Sequence, residues 1–287
     1  MYPIKLAFIA YLLVMKYCNL AKTIKSLDLA CIIKIFSKNL LDHEFTMNNA
    51  ENEIPSLKIL HTSDLHFLGD DDENNTVENK FPIIVEAAEK LDVDALILAG
   101  DIFDTHRAPV EQVLELIDQI NAMNKPCIIL PGNHDGRIFD QVPEERIGDN
   151  LFMIRKESGE TFNIPSLDLS IWGKPTYKHT PEFKPLEGIP KRPESKWFIV
   201  VAHGLVLDSP HFADRSSLIH YEELQNADCD YIALGHVDVF KEVTQGKSIA
   251  YYCGAPWGPV TPPTIAIVSL YDKENIKVEP IAVPFNP

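Results

Sequence analysis

The sequence predicts an α/β protein in which two packed mixed β-sheets are flanked by helices. Residues 57–130 alternate short apolar runs with longer amphipathic segments, the pattern of parallel strands that are covered by helices. After residue 150 the apolar runs continue while long amphipathic segments become rare, which indicates a β-rich second half. With 287 residues and 45% apolar content, the chain can bury the large core that two stacked sheets require.

The first half of the fold is predicted to run β-α-β-α-β. Its strands are the apolar runs 57-LKIL-60, 94-DALILAG-100 and 127-CIIL-130. Between them, residues 81–91 and 110–120 carry apolar side chains at helical spacing and predict two helices. Strands that are joined by crossover helices lie parallel in one sheet.

The second half is predicted to be mostly strands. We expect them at residues 151–154, 167–173, 197–204, 231–236, 248–254 and 264–270. The Pro-rich segment 175–193 is predicted to be a loop between two of these strands.

Residues 1–46 are predicted to form an N-terminal extension outside the folded domain, which spans residues 47–287. The extension holds six of the 26 Lys and Arg and three of the 42 Asp and Glu, which leaves 20 basic and 39 acidic residues in the domain. The apolar run 6–15 is too short to span a bilayer, and residues 20–38 have the pattern of a basic amphipathic helix. A membrane-surface anchor, an atypical export signal and upstream sequence outside the native product all stay open. The polar stretch that begins at Met47 favours the last interpretation.

The overall charge indicates which binding partners are disfavoured, and the cysteines indicate the cellular compartment. A formal net charge of -16 indicates a surface that repels polyphosphate chains unless a basic patch or a bound metal intervenes. The five cysteines are scattered and contain no CxxC pair, so they indicate neither a disulfide framework nor a cysteine zinc site. We therefore predict a reducing, cytoplasmic location without a stable membrane span, and membrane association or export through residues 1–46 is the alternative. The sequence does not indicate an oligomeric state.

Polar side chains with metal-binding chemistry follow five of the predicted strands. Because the carboxyl ends of strands in open α/β sheets meet at one crevice, we expect these groups to converge there. Each pattern alone has a simpler explanation as a turn, a helix cap or a core histidine, but five in order favour a site for two divalent cations. Carboxylate, amide and imidazole ligands together suit Mn²⁺, Fe²⁺ or Zn²⁺ better than Ca²⁺, and Mn²⁺ is favoured. The residues are Asp64 and His66, Asp101 and Asp104, Asn133 and His134, His203, and His236 and Asp238.

In this order, the motifs resemble those of the calcineurin-like metallophosphoesterases. The motifs 100-GDIFD-104 and 132-GNHD-135 are closest to the Mre11/SbcD nuclease branch, and the resemblance covers residues 57 to about 255. It implies an αββα sandwich domain within residues 47–287 and a metal-dependent enzyme that hydrolyses phosphoester bonds. The other matching motifs are 64-DLH-66, 203-HG-204 and 235-GHVD-238.

The resemblance implies a role for each matching residue. A water shared by two cations has a lowered pKa, and the resulting hydroxide would attack phosphorus. His134, oriented by the carboxylate of Asp104, would stabilise or protonate the leaving oxygen. Asp135 would be structural. The implied ligands are Asp64 and His66 for the first ion, Asn133, His203 and His236 for the second ion, and Asp101 for both.

One position departs from the family pattern. The last motif of the family ends GHxH, whereas this chain has Asp238 at the final position. We expect Asp238 to be a ligand of the first ion and its carboxylate oxygen to make that site favour harder cations. His106 and Arg107 follow the GDIFD motif and are predicted to contact a substrate phosphate. Four other histidines of the domain match no motif position and are predicted to be surface or core residues: His61, His179, His211 and His220.

Three functional hypotheses stay open, and they differ in the substrate that the protein would act on. We expect a stand-alone phosphodiesterase or phosphatase that acts on small or nucleotide-like phosphoesters, because the chain lacks a basic stripe and stops soon after its final predicted strand. An Mre11/SbcD-like DNA exonuclease is the first alternative. A non-catalytic interaction module that keeps the metallophosphoesterase fold is the second, and Asp238 is the residue that favours it.

Overall fold

The computed structural model describes residues 54–69, 74–207, 217–258 and 262–283. The predicted extension over residues 1–46 and the acidic run 70–73 lie outside the described residues.

Six strands form the first sheet, in the order β14-β13-β1-β2-β3-β4. Strands β1 to β4 are parallel, and crossover helices connect β1 to β2 and β2 to β3. Strand β13 pairs antiparallel with β1, and β14 pairs antiparallel with β13. The side chains of β2 are buried on both faces of the sheet, as its uninterrupted apolar sequence predicts. The strand bounds are β1 (Leu57–Thr62), β2 (Ala95–Ala99), β3 (Cys127–Leu130), β4 (Leu151–Met153), β13 (Thr264–Leu270) and β14 (Ile276–Ala282).

Two helices cover the outer face of this sheet. Helix α1 (Val77–Lys90) begins where the side chain of Thr76 accepts a hydrogen bond from the backbone N–H of Asn79, and helix α2 (Val110–Ala122) follows β2. Their apolar stripes, which include Phe81 and Ile117, pack against one face of the first sheet.

The second sheet also has six strands, in the order β11-β12-β10-β7-β6-β5. Its central strands are parallel, and β5 and β11 pair antiparallel at the two edges. A short pair, β8 (Leu205–Val206) and β9 (Leu218–Ile219), and helix α3 (Tyr221–Asn226) lie between β7 and β10 in the chain. The bounds are β5 (Glu160–Ile164), β6 (Leu169–Gly173), β7 (Trp197–His203), β10 (Tyr231–Gly235), β11 (Phe240–Glu242) and β12 (Ile249–Cys253).

The central core lies between the two sheets. Side chains such as Ile97 from β2 and Ile199 from β7 meet there without solvent exposure. Burying one such side chain contributes about 1.5–3 kcal/mol, so this layer drives the stacking of the sheets. The predicted class, two packed mixed sheets flanked by helices, is confirmed, and the predicted loop over residues 175–193 contains no helix or strand.

None of the described helices has the length and hydropathy that a bilayer-spanning segment needs.

Candidate metal centre

Four of the predicted site residues adopt a left-handed backbone. The φ angles are 54° at Asp64, 43° at His66, 51° at Asp101 and 96° at His236. A residue with a Cβ atom loses roughly 1–2 kcal/mol in this region, and such conformations persist only where the surrounding structure imposes them. The sharp turns at the ends of β1, β2 and β10 aim these side chains into one crevice.

Glycines allow the strand ends to approach one another. A Cβ atom on Gly100 would collide with the ring of His203, and one on Gly132 would collide with the carboxylate of Asp101. Gly100 also has a φ of 95°, which glycine adopts at little cost. The loops after β2 and β3 are therefore close enough to share one site with the end of β7.

Two groups of potential ligand atoms share a single carboxylate. The first cluster consists of Asp64, His66 and Asp101, and the second cluster of Asp101, His203 and His236. Within each cluster the ligand atoms lie within 4.8 Å of one another. This arrangement has the geometry of two neighbouring cation sites with Asp101 between them.

The amide oxygen of Asn133 is free to bind a cation. Its Oδ1 atom is buried and has no hydrogen-bond partner among the described residues, although a buried amide oxygen without a partner costs about 1–3 kcal/mol. The next residue, His134, donates its backbone N–H to the carboxylate of Asp101 at 2.9 Å. An unpaired buried oxygen on this loop has the chemistry of a ligand for a divalent cation.

The carboxylate of Asp135 holds the loops of the site together. It is fully buried and accepts hydrogen bonds from the backbone N–H groups of Gly132 at 2.8 Å, Phe103 at 2.8 Å and Ile102 at 3.2 Å. These bonds join the loop after β2 to the loop after β3, which carry Asp101 and Asn133. Asp135 therefore has the structural role predicted for it.

The buried charges of the two clusters indicate a cation. Asp64 and Asp101 are 3% and 2% exposed. Burial raises the pKa of Asp64 to about 6; the neighbouring His203 lowers it and the like charge of Asp101 raises it. Burial by itself would lower the pKa of His203, but the charge and hydrogen bond of Asp101, together with Asp64 and the carbonyl of Ala99, raise it to about 9. Without a metal, the negative charge of the two buried carboxylates is balanced by protonation of a neighbouring group such as His203. Such a pair of carboxylates is a suitable site for divalent ions.

Hydrogen bonds fix the orientation of His203. Its Nδ1–H donates to the backbone carbonyl of Ala99 at 2.9 Å, which leaves Nε2 directed at Asp101, 3.1 Å from its Oδ2. Nε2 also lies 3.3 Å from Nδ1 of His236. A backbone acceptor on one ring nitrogen that frees the other for a ligand is the usual support of a metal-binding histidine.

Asp104 contacts two histidines in a way that differs from the sequence prediction. Its carboxylate Oδ1 lies 3.0 Å from Nδ1 of His66 and 3.8 Å from Nδ1 of His134. The close partner of His134 is the backbone carbonyl of Asp104, 2.8 Å from Nδ1. The carboxylate that was predicted to orient His134 therefore mainly orients His66, and the backbone of the same residue orients His134.

Three other predicted residues lie at the margin of the site. Asp238 is half-buried, its backbone carbonyl accepts a hydrogen bond from Ala255, and its carboxylate is not part of either cluster. His106 and Arg107 are exposed on the loop after β2, where the side chain of His106 faces Gly136.

His179 is exposed, as predicted for a surface residue, and its ring centroid also lies 5.7 Å from that of His236 in the second cluster. The strand-end pattern could not find this proximity, because His179 lies within the Pro-rich segment.

The other described histidines without a motif position belong to neither cluster. His61 is a core residue as predicted, fully buried with Nδ1 2.9 Å from the hydroxyl of Tyr231, and His220 caps helix α3. His211 lies outside the described residues.

The family can now be stated. A family model described as calcineurin-like phosphoesterase matches residues 57–240, and the chain belongs to this family. The family hydrolyses phosphoester bonds in general and uses divalent metals, although some members are not catalytic. The resemblance predicted from the motifs is thereby confirmed.

Individual relatives are distant. The chain is 25% identical over 213 residues to the DNA double-strand break repair protein Mre11 of Methanosarcina mazei, which covers 69% of this chain and 33% of that protein. It is 27% identical over 205 residues to the protein of the same name from Methanosarcina acetivorans, covering 67% and 32%. The chain spans about one third of the length of these relatives. Among solved structures, purple acid phosphatase PPD1 from yellow lupin is 13% identical with a TM-score of 0.48, covering 80% of this chain and 52% of that one.

Proposed function

We propose that this chain is a phosphoesterase whose site holds two divalent metal ions. The observation that supports this most is the position of the Asp101 carboxylate, which belongs to both clusters of potential ligands. The first ion would be held by the first cluster, and the second ion by the second cluster together with Oδ1 of Asn133. Asp238, two residues beyond His236 in the same loop, is our proposed additional ligand of the first ion.

The ions would supply electrophilic stabilisation of the phosphoryl oxygens and an acidified water nucleophile. We propose Mn²⁺ as the metal because the ligands mix hard oxygens with imidazole, and Fe²⁺ and Zn²⁺ are the alternatives.

The protein groups around the ions would orient ligands and move a proton. The Asp104 carboxylate would hold Nδ1 of His66 and turn its Nε2 toward the first ion. Nδ1–H of His134 would donate to the carbonyl of Asp104, which places the transferable proton of the imidazolium form on Nε2. The Asp104 carboxylate, 3.8 Å from the His134 ring, would stabilise that imidazolium. His134 could then protonate the leaving oxygen of the ester.

Small or nucleotide-like phosphoesters are the proposed substrates. The net charge of -16 weakens association with a long polyanion, whereas the two proposed metal ions, His106 and Arg107 would attract a phosphate group only at short range. The similarity to two Mre11 proteins favours DNA as the second candidate substrate.

The cysteines support a reducing compartment such as the cytoplasm. Cys127, Cys229 and Cys253 are free and buried. Burial raises the pKa of the Cys229 thiol to about 12 and also raises the pKa of the other two thiols, so these groups are protonated and unreactive.

Three substrates test the proposal. Purified protein with Mn²⁺ would be assayed with bis(p-nitrophenyl) phosphate, p-nitrophenyl phosphate and single-stranded DNA, with an Asp64→Asn variant as the control for contaminating enzymes. We expect metal-dependent turnover of a chromogenic ester that exceeds DNA cleavage and that the variant loses. Preferred cleavage of DNA would support the nuclease alternative. A protein that binds two ions but hydrolyses none of the three would contradict the proposed activity.

A further inference from the structure

His179 is placed beside the site by a segment of chain that is held at three points. Thr176, which is 1% exposed, donates its backbone N–H to the carbonyl of Pro131 at 3.0 Å and its hydroxyl to the carbonyl of His203 at 2.9 Å. These two acceptors belong to the loop that carries Asn133 and to a member of the second cluster. The segment is therefore wedged between two of the chain elements that form the site.

The other two points lie on either side of His179. The ring of Tyr177 lies under the guanidinium of Arg137 at 4.3 Å, and its hydroxyl donates to the carbonyl of Arg155 at 3.1 Å. On the far side, the backbone N–H of Ser217 donates to the carbonyl of Thr180 at 3.1 Å. A side chain on a backbone fixed in this way has a defined position, as a group that contacts a ligand requires.

The imidazole of His179 is anchored at one nitrogen only. Nδ1 lies 3.1 Å from the hydroxyl of Ser217, which is fully buried, and the ring itself is exposed. When the hydroxyl donates to Nδ1, the ring proton resides on Nε2. Among the described residues Nε2 has no hydrogen-bond partner, so this N–H is available to a ligand.

Two histidines outside both clusters each lie beside one of the clusters. The ring of His134 is 4.8 Å from that of His66 in the first cluster, and the ring of His179 is 5.7 Å from that of His236 in the second cluster. A phosphoryl group that lies across both clusters would present oxygens toward each of these histidines. Beside the second cluster, His179 offers a donor that does not belong to the cluster.

We propose that His179 is a substrate-binding residue that donates a hydrogen bond from Nε2 to a non-bridging phosphoryl oxygen above the second cluster. This inference rests on the proposed phosphoesterase function. Because the contact is with an oxygen that neither enters nor leaves, it stabilises the bound substrate and the transition state alike, and its loss should raise KM more than it lowers kcat.

The test compares variants of the full chain loaded with Mn²⁺, with bis(p-nitrophenyl) phosphate as substrate and inorganic phosphate as inhibitor. We expect His179→Ala to raise KM and the phosphate inhibition constant by roughly tenfold, the loss of one hydrogen bond to an anion, with kcat within about threefold. His179→Gln, which keeps a donor, should recover part of the loss. Ser217→Ala should give a smaller rise that disappears in the His179→Ala background. Metal analysis should find two ions in every variant.

Lys178→Ala is the matched control, because Lys178 lies on the same segment and pairs with Glu157. It should leave KM and phosphate inhibition unchanged. An His179→Ala protein with wild-type KM and wild-type phosphate inhibition would overturn the inference, and so would one that loses a metal ion, since that result would make His179 a ligand or a structural residue. If the wild type hydrolyses no ester but calorimetry shows phosphate binding that His179→Ala weakens, the phosphate contact stands while the proposed hydrolysis fails.

Discussion

Replacing Asp135 by alanine would remove the acceptor that joins the loops after β2 and β3. The carboxylate accepts three backbone hydrogen bonds of 2.8–3.2 Å in a position without solvent exposure. Water cannot replace the lost acceptor without a rearrangement of the loops that carry Asp101 and Asn133.

The expected magnitude follows from two opposing effects. Each buried N–H group left without a partner costs about 1–3 kcal/mol, so three cost about 3–9 kcal/mol. Burial, followed by the charge of Asp101, raises the pKa of Asp135 from 3.8 to about 6, which corresponds to about 3 kcal/mol of destabilisation of the native carboxylate. The alanine variant is relieved of that cost. We therefore expect Asp135→Ala to lower the free energy of unfolding by about 3 kcal/mol, near the centre of the difference.

Urea denaturation of the metal-free proteins, followed by tryptophan fluorescence, would measure this change. Asp149→Ala is the matched control, because Asp149 is exposed and should change the free energy of unfolding by less than about 0.5 kcal/mol. Asp135→Asn, which keeps one oxygen acceptor, should fall between the two. Equal unfolding midpoints for Asp135→Ala and Asp149→Ala would show that the three hydrogen bonds of Asp135 do not stabilise the fold.

Three further predictions concern the metals and the core. Asp101→Ala should lose both ions and nearly all hydrolysis, whereas His134→Ala should keep both ions and lose rate; metal analysis with activity assays checks this, and two tightly held ions in Asp101→Ala would contradict it. Asp238→His should raise activity with Zn²⁺ relative to Mn²⁺, while Asp238→Ala should weaken the first ion only; identical metal titrations for both variants and wild type would show that Asp238 is not a ligand. Burial lowers the pKa of His61 from 6.5 to about 3, so its neutral form stabilises the fold above pH 6.5 and this contribution is lost as the pH falls toward 3. About 2 kcal/mol should disappear between pH 7 and pH 5, and His61→Gln should flatten that part of the urea-derived pH profile.

The sequence predicted the strands that contain continuous apolar runs. Strands β1, β2 and β3 are buried on both faces or end in the site, so a run of apolar letters marks them. The edge strands β5 and β14 escaped prediction, because their side chains alternate between half-buried and exposed and Pro280 interrupts the alternation of β14. A run of apolar residues marks a strand whose side chains are buried, and these two strands bury few of theirs.

The same limit applies to the site. Asp101 and His203 were predicted because each follows a strand that the sequence marks clearly. His179 lies six residues beyond the end of β6 and is held near His236 by hydrogen bonds that Thr176 makes with Pro131, directly after β3, and with His203 at the end of β7. No periodicity encodes such contacts. The sequence also could not show that the shorter contact of His134 is with the backbone oxygen of Asp104 rather than with its carboxylate, since that choice depends on the turn that the chain makes there.

A laboratory selection for heat resistance alone would accept substitutions in this site before it accepted substitutions in the core. Glycine in place of Asp64, His66, Asp101 or His236 would relieve the left-handed backbone at each position. At Asp64 it would also remove a carboxylate that burial and the like charge of Asp101 disfavour. With the proposed phosphoesterase activity, each of these substitutions would remove a metal ligand and abolish turnover, in line with the general trade-off between stability and activity. Screens for robust variants should therefore score turnover in every round, because survivors chosen by melting temperature would be enriched in catalytically dead sequences.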